Sequence, residues 1–269
     1  LLVVLRIVPP FTWIPAIFRF VSFTNSGGSF KMPLNASILP QSSQSPLYFT
    51  ALYNPLITAF NPGQSPPPVK TNTFFFSEIY HKRQINSIYL DTSTFEMYMD
   101  NVVGQANRYK FRIRWYGEDV LFATKPSLEI KVKHGLTGDK WIFPLPDFKV
   151  TDLTQKRIID LAKTSNVSDL IVQQLYALNP VLLNTYERKY YLSSDKKFRV
   201  TLDEKLEFHR FSYAFDTLTN VRKTDIDFVL ELKYKPEDDS MASGISKQFP
   251  FRLDKYSKYI TGCECFYDL

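Results

Sequence analysis

Acidic residues are missing from the first 73 positions of this 269-residue sequence, which carry Arg6, Arg19, Lys31 and Lys70 but not one Asp or Glu. Eleven of the 17 prolines fall in the same stretch, among them Pro66-Pro67-Pro68, beside polar clusters such as Gln41-Ser42-Ser43-Gln44-Ser45. No periodic apolar pattern survives there. The expectation is an irregular, acid-free, Pro- and Ser-rich extension over 1–73, with a domain boundary near residue 73. The chain starts with Leu rather than Met, and a wrongly assigned start or reading frame is a second explanation of that composition.

Long apolar runs are lacking as well. Residues 1–23 are apolar enough to suggest a membrane segment, but Arg6, Arg19 and prolines 9, 10 and 15 interrupt them. A spanning helix takes about 20 mostly apolar residues, and the match to a secretory signal is poor. Cysteine is scarce: Cys263 and Cys265 stand one residue apart, too close in a strand for an easy disulfide and without the further ligands of a zinc site. The low count fits a reducing compartment, so a cytoplasmic location is expected.

Hydrophobic residues make up 44% and aromatics 16%, enough for a substantial core and against a wholly disordered chain. The formal net charge is +6, from 33 basic and 27 acidic residues. Setting aside the four basic residues of the first 73 leaves 29 against 27, so the rest is nearly balanced. Bulk charge is therefore a weak argument for nucleic acid, and no nucleic-acid partner is expected.

From Asn86 onward the pattern has period two. Asn86–Leu90 is a short strand. In 108–116, Arg108, Lys110, Arg112 and Arg114 fall on one face, with Tyr109, Phe111, Ile113 and Trp115 on the other. Ser127–Lys133 sets Glu129, Lys131 and Lys133 against Leu128, Ile130 and Val132. Tyr186–Leu192 carries Arg188 between two tyrosines. Lys197–Asp203 opposes Arg199, Thr201 and Asp203 to Phe198, Val200 and Leu202. Asp227–Tyr234 places Glu231 and Lys233 opposite Leu230, Leu232 and Tyr234. Between these strands, 152–178 has helical spacing, broken near Asn166–Asp169 with Ser168 as an N-cap.

A sheet with one solvated side would explain any single strand. Arg and Lys nevertheless recur on the polar face of strand after strand. If the sheet closes with these faces inward, it forms a cationic lumen with a few carboxylates, and cations so placed need a polyanion. Arg forks and Lys point charges suit phosphate. A carboxylate beside phosphate suits a bridging divalent metal, Mg or Mn.

The run Asn86-Ser87-Ile88-Tyr89-Leu90-Asp91-Thr92, then 107–117 with Arg112-Ile113-Arg114-Trp115-Tyr116-Gly117, resembles the VTC domain of polyphosphate polymerases, which are triphosphate tunnel metalloenzymes. The resemblance continues through Leu128-Glu129-Ile130-Lys131, Tyr186-Glu187-Arg188-Lys189-Tyr190, 198–203 and Leu230-Glu231-Leu232-Lys233-Tyr234. It closes at Lys255-Tyr256-Ser257-Lys258-Tyr259-Ile260-Thr261-Gly262. These motifs lie in order over about 75–265. The resemblance implies an α+β fold, an antiparallel β-barrel of the triphosphate tunnel type with a few flanking helices. It also implies transfer of the terminal phosphate of a nucleoside triphosphate to polyphosphate with a divalent metal. A triphosphatase of the same fold, or a polyphosphate- or nucleotide-binding module, are the alternatives. Carried over, Arg112, Arg114, Lys131, Arg188, Arg199 and Lys233 are the wall cations of the catalytic tunnel. Lys110, Lys255, Ser257 and Lys258 are substrate-binding, and Glu231 and Glu129 are metal carboxylates. Tyr89 and Trp115 read as core residues, and Asp203 as a possible turn cap. An opening strand of the type Arg-x-Glu-x-Lys is missing before the Ile-Tyr-Leu-Asp-Thr segment, so a tunnel wall lacking one strand and impaired in catalysis is expected.

Overall fold

Alternation gives each strand a charged face and an apolar face, and the two meet different surroundings. The computed structural model describes residues 2–6, 47–48, 75–135, 137–211, 221–223, 226, 228–247 and 254–269. In chain order, the first elements are strands β1 (Leu2–Arg6), β2 (Leu47–Tyr48) and β3 (Phe75–Asp91), helix α1 (Glu96–Val102), and strands β4 (Asn107–Tyr116), β5 (Phe122–Ala123), β6 (Ser127–His134), β7 (Thr137–Pro144) and β8 (Phe148–Lys149). Helices α2 (Gln155–Lys163) and α3 (Asp169–Leu175) precede β9 (Asn179–Ser193), β10 (Arg199–Arg210), β11 (Val221–Lys223) and β12 (Phe228–Lys233). Helices α4 (Asp239–Ser246) and α5 (Lys258–Glu264) complete the set.

Ten strands form one sheet in the order β1-β12-β10-β9-β3-β4-β6-β7, with β11 beside β10 and β2 beside β3. Every pairing is antiparallel. The fold is thus α+β, as expected. The path has two ends, β1 and β7, so the sheet curls around its charged face without closing as a strict barrel. Its axis is the long pair β3 and β9, whose register shifts near Tyr80 and again at Tyr89/Leu90. Such bulges bend and twist a strand. Only 86–90 and 186–192 of this pair alternate clearly enough to be read from sequence; their extensions are fixed by pairing.

The apolar faces pack outward under the helices. Phe111, Ile113 and Trp115 of β4 join Leu128 and Ile130 of β6 against Ile158, Ile159 and Leu161 of α2 and Leu175 of α3. The two helices break where the sequence breaks, with Ser168 at the N-cap of α3. Thr154 caps α2, its side chain accepting from the Arg157 amide at 3.1 Å. On the far side, Phe198, Val200, Leu230 and Leu232 pack against Ala242 and Ile245 of α4. Helix α5 lies against Leu182 and Phe208 through Tyr259 and Cys263. Both cysteines are free, and they sit in and just after this helix rather than in a strand.

The N-terminal quarter contributes β1 and β2; its other positions, including the Pro- and Ser-rich clusters, lie outside the described residues. Strand β1 runs along β12 with Val4 opposite Glu231. Its sequence, Leu-Val-Val-Leu-Arg, has one cation and no carboxylate. Among the described residues, no helix is long and apolar enough to cross a membrane.

Candidate functional site

The charged faces converge on one cavity of about 410 Å³. It is lined from β4 by Lys110, Arg112 and Arg114, from β6 by Glu129 and Lys131, from β9 by Tyr186 and Arg188, and from β12 by Glu231 and Lys233. Strands β6 and β12 are separated by four others in the sheet order, so only curling brings Lys131 and Glu231 into one space. Ser257 and Lys258, at the start of α5, close one side. Ten of the twelve residues assigned from sequence thus meet here. The other two do not line the cavity. Arg199 is exposed opposite Lys233 at the start of β10, and Lys255 is exposed just before α5.

Two carboxylates organise the cations. Glu129 is buried and has both oxygens engaged: Lys140 Nζ donates to Oε1 at 2.6 Å, and Arg112 Nε donates to Oε2 at 2.7 Å. Arg114 Nη1 lies 3.5 Å from the same Oε2. Burial alone would raise this carboxyl, but the three cations outweigh it and hold it at about 2. Asp203 is fully buried and takes a bidentate pair from Arg188, 2.5 Å to Oδ1 and 2.7 Å to Oδ2, while Lys258 Nζ lies 2.6 Å from Oδ2. It is no turn cap: burial opposes its charge, and Lys258 and Arg188 together pull its pKa below the ordinary carboxylate value.

Tyr186 sits between the two groups. Arg114 Nη2 donates to its hydroxyl at 3.3 Å, and Lys258 and Arg188 stand 4.7 and 5.3 Å from its ring centre. Burial raises a phenol, yet Arg114 and Arg188 bring this one below its ordinary value. Lys110 is the opposite case. Burial, reinforced by Lys131, Arg108 and Arg112, lowers its ammonium to about 7, and its Nζ donates to Ser257 Oγ at 2.9 Å. Lys131 is also lowered, by burial first, with Glu231 opposing.

Sequence reasoning missed Lys140, Tyr186 and Asp203 as site members. Lys140 lies on β7, whose Thr-Gly-Asp-Lys-Trp-Ile-Phe-Pro has no clear alternation; the turn at Gly135 (φ 55°) was its only signal. Tyr186 and Asp203 share parity with Arg188 and Thr201, a usable sign. Tyr89 and Trp115 are both core residues, as expected; Tyr89 also lines the cavity, where it stacks on Tyr259.

Among the described residues, no group of three or more His, Cys, Asp or Glu is placed to hold a metal. Among the described residues, the contacts of Glu231 with Thr201 at 3.3 Å, Lys233 at 3.4 Å and Arg188 at 3.8 Å all fall on Oε2. Oε1 therefore fits a cation whose other ligands are phosphate oxygens and water, the usual situation for magnesium. Glu129 would first have to release Arg112 or Lys140.

The family model for the VTC domain matches residues 41–267. The chain belongs to the VTC domain family. That match begins inside the acid-free stretch and runs almost to the C-terminus. Three solved structures are also similar to this VTC chain. The PH1819 protein of Pyrococcus horikoshii OT3 is 12% identical, with a TM-score of 0.37 over 70% of this chain and 86% of that one. A candidate adenylyl cyclase from Hippeastrum, described as having a dominant triphosphatase activity, is 14% identical with a TM-score of 0.42 over 70% and 85%. A candidate adenylate cyclase from Vibrio parahaemolyticus is 11% identical with a TM-score of 0.36 over 69% and 84%. At these TM-scores the likeness carries no argument. No curated protein matches the chain.

Proposed function

We propose that this VTC domain binds the triphosphate of a nucleoside triphosphate in its cavity and transfers the terminal phosphate to a polyphosphate chain. The observation that carries the reading is the charge of the lining: eight Lys and Arg side chains against three carboxylates, Glu129, Asp139 and Glu231. Asp203 behind the wall compensates Arg188 and Lys258, which leaves an excess of four cations in a partly desolvated space, an arrangement that favours a polyanion inside. Phosphoryl transfer asks the protein mainly for alignment and charge stabilisation, and the converging cations support the second of these.

Arg112 and Arg114 offer their forks from β4 and Arg188 offers its own from β9, positions suited to phosphate oxygens along the tunnel. Glu129 and Asp203 keep these forks extended before the substrate arrives. Lys131, Lys233 and Lys258 add point charges, and Ser257 an oxygen and a hydroxyl donor. Glu231 is the residue that would hold a divalent metal, which would supply charge neutralisation on the transferring group. Manganese and magnesium both suit an all-oxygen site.

A binding-only reading draws support from the sequence, in which the expected Arg-x-Glu-x-Lys strand is missing before Asn86. Incubation of the full chain with ATP, manganese and a short polyphosphate primer separates the outcomes. Lengthened chains on a gel establish the polymerase. Orthophosphate without polymer establishes a triphosphatase instead, and saturable binding without turnover establishes the binding module.

A further inference from the structure

On the cavity side of the sheet, past Arg188 along the strands, three tyrosines stand outside all three apolar clusters and outside the cavity lining itself. Tyr190 follows Arg188 by two residues on β9 and lies opposite Thr201, whose hydroxyl donates to Glu231. Its ring therefore faces the tunnel side of the sheet. Tyr80 on β3 is the register partner of Tyr190, and Arg83 is the partner of Arg188. Tyr116 ends β4 on the same face as Arg112 and Arg114, opposite Ile85.

The group is built rather than scattered. The Tyr80 and Tyr190 rings meet edge to face, with centres 5.7 Å apart and planes at 89°. The Arg83 guanidinium lies 5.1 Å from the Tyr80 centre and 5.6 Å from that of Tyr190. Tyr80 is nevertheless 54% exposed and Tyr116 48%. Exposed rings fixed by a neighbouring ring and a cation present flat, polarisable faces, the surface on which nucleobases stack.

We infer that Tyr80, Arg83 and Tyr190, with Tyr116 across the mouth, form a stacking platform for the base of the nucleoside triphosphate. The inference rests on the triphosphate reading of the cavity and adds the part that sets the donor class. From Arg188 to Tyr190 is two strand residues, about 7 Å, a step of the order of the ribose that separates phosphate from base. No side chain of the platform is arranged to read a base edge by paired donors and acceptors, so it favours ring area over base identity. Purine nucleotides are preferred to pyrimidine nucleotides, and adenine and guanine are treated alike.

The test is calorimetric titration of the full chain with ATP, GTP, CTP and inorganic tripolyphosphate, repeated on Tyr80→Ala. Loss of one stacking ring weakens ATP and GTP by about tenfold, while tripolyphosphate stays within about twofold. The same full chain irradiated with 8-azido-ATP is expected to carry label on peptides from 75–91, 107–116 and 179–193. Equal weakening of ATP and tripolyphosphate in the variant, no weakening of either, or label confined to other segments overturns the platform. If wild type binds tripolyphosphate but not ATP, the platform fails and the phosphate cavity stands. If it binds neither, the phosphate reading itself fails, and the platform with it.

Discussion

Asp203 shows how much of this site depends on single buried charges. Its two oxygens hold Arg188 and Lys258 against each other and against the ring of Tyr186. Asp203→Asn leaves two cations facing each other without their anion, a loss of about 3 kcal/mol, readable as a lower urea midpoint. Because tripolyphosphate supplies replacement charge, the ligand is expected to raise the melting temperature of this variant more than that of wild type. Glu231→Gln is expected to lower metal-dependent turnover roughly 100-fold while nucleotide binding in EDTA survives. If turnover persists, Glu231 is not the metal carboxylate.

Lys110 sets a pH dependence whose sign follows from its depressed value. Between about 7 and the ordinary lysine value of 10.5, the unfolded chain holds a proton that the folded chain does not. Stability from this group therefore rises with pH across that window, and the penalty for its charge is felt in full below it. Binding of a polyanion runs the other way, because it favours the ammonium. Triphosphate affinity is expected to fall as pH rises above about 7, with net proton uptake on binding. Calorimetry in buffers of different ionisation heat measures that uptake, and Lys110→Met should abolish most of it.

At the scale of elements, α5 decides whether the site is complete. Ser257 and Lys258 reach the cavity only because the helix is seated by Tyr259, whose hydroxyl donates to buried Asp91. The second Asp91 oxygen accepts from the Thr92 and Met97 amides, so one carboxylate ties α5 to the start of α1. The close seating also needs Gly262. A Cβ there would lie 2.6 Å from Phe208 and press on Leu182. Gly262→Ala is expected to cost about 1–3 kcal/mol by overpacking and to weaken triphosphate binding as Lys258 shifts. A thermal melt and a titration on the same sample check both.

For the whole molecule, the sheet's two ends carry the risk. Strand β1 covers the edge of β12, the strand that bears Glu231 and Lys233. We propose the composition change at 73 as a unit boundary, and a chain of 74–269 tests what lies before it. Without β1 it presents an unpaired edge, so concentration-dependent association is expected in analytical ultracentrifugation. Its triphosphate affinity should drop if β1 braces Glu231 and hold if it does not.

Much of the wall was legible in the residues themselves, because a period of two leaves a visible record wherever one face is charged and the other buried. Alternation put Arg112, Arg114, Lys131, Arg188, Glu231 and Lys233 on charged faces, the resemblance to the VTC domain singled them out from neighbours such as Arg108 and Lys133, and they share one cavity. Arg199 obeys the same parity but opens its strand in solvent, since parity fixes a face and says nothing of depth. Lys140 was invisible because β7, at the sheet's end, needs no apolar outer face.

Sequence alone determined the alternating faces, the break between α2 and α3, and the cationic character of the inner surface, since each depends on neighbours one to four residues apart. Tertiary structure decided which cations share a carboxylate, that Asp203 and Glu129 organise the site, and that β1 stands beside β12. Those outcomes rest on contacts between residues far apart in the chain. Nothing local encodes them: it is the curvature of the long β3 and β9 pair that folds the charged faces toward one another.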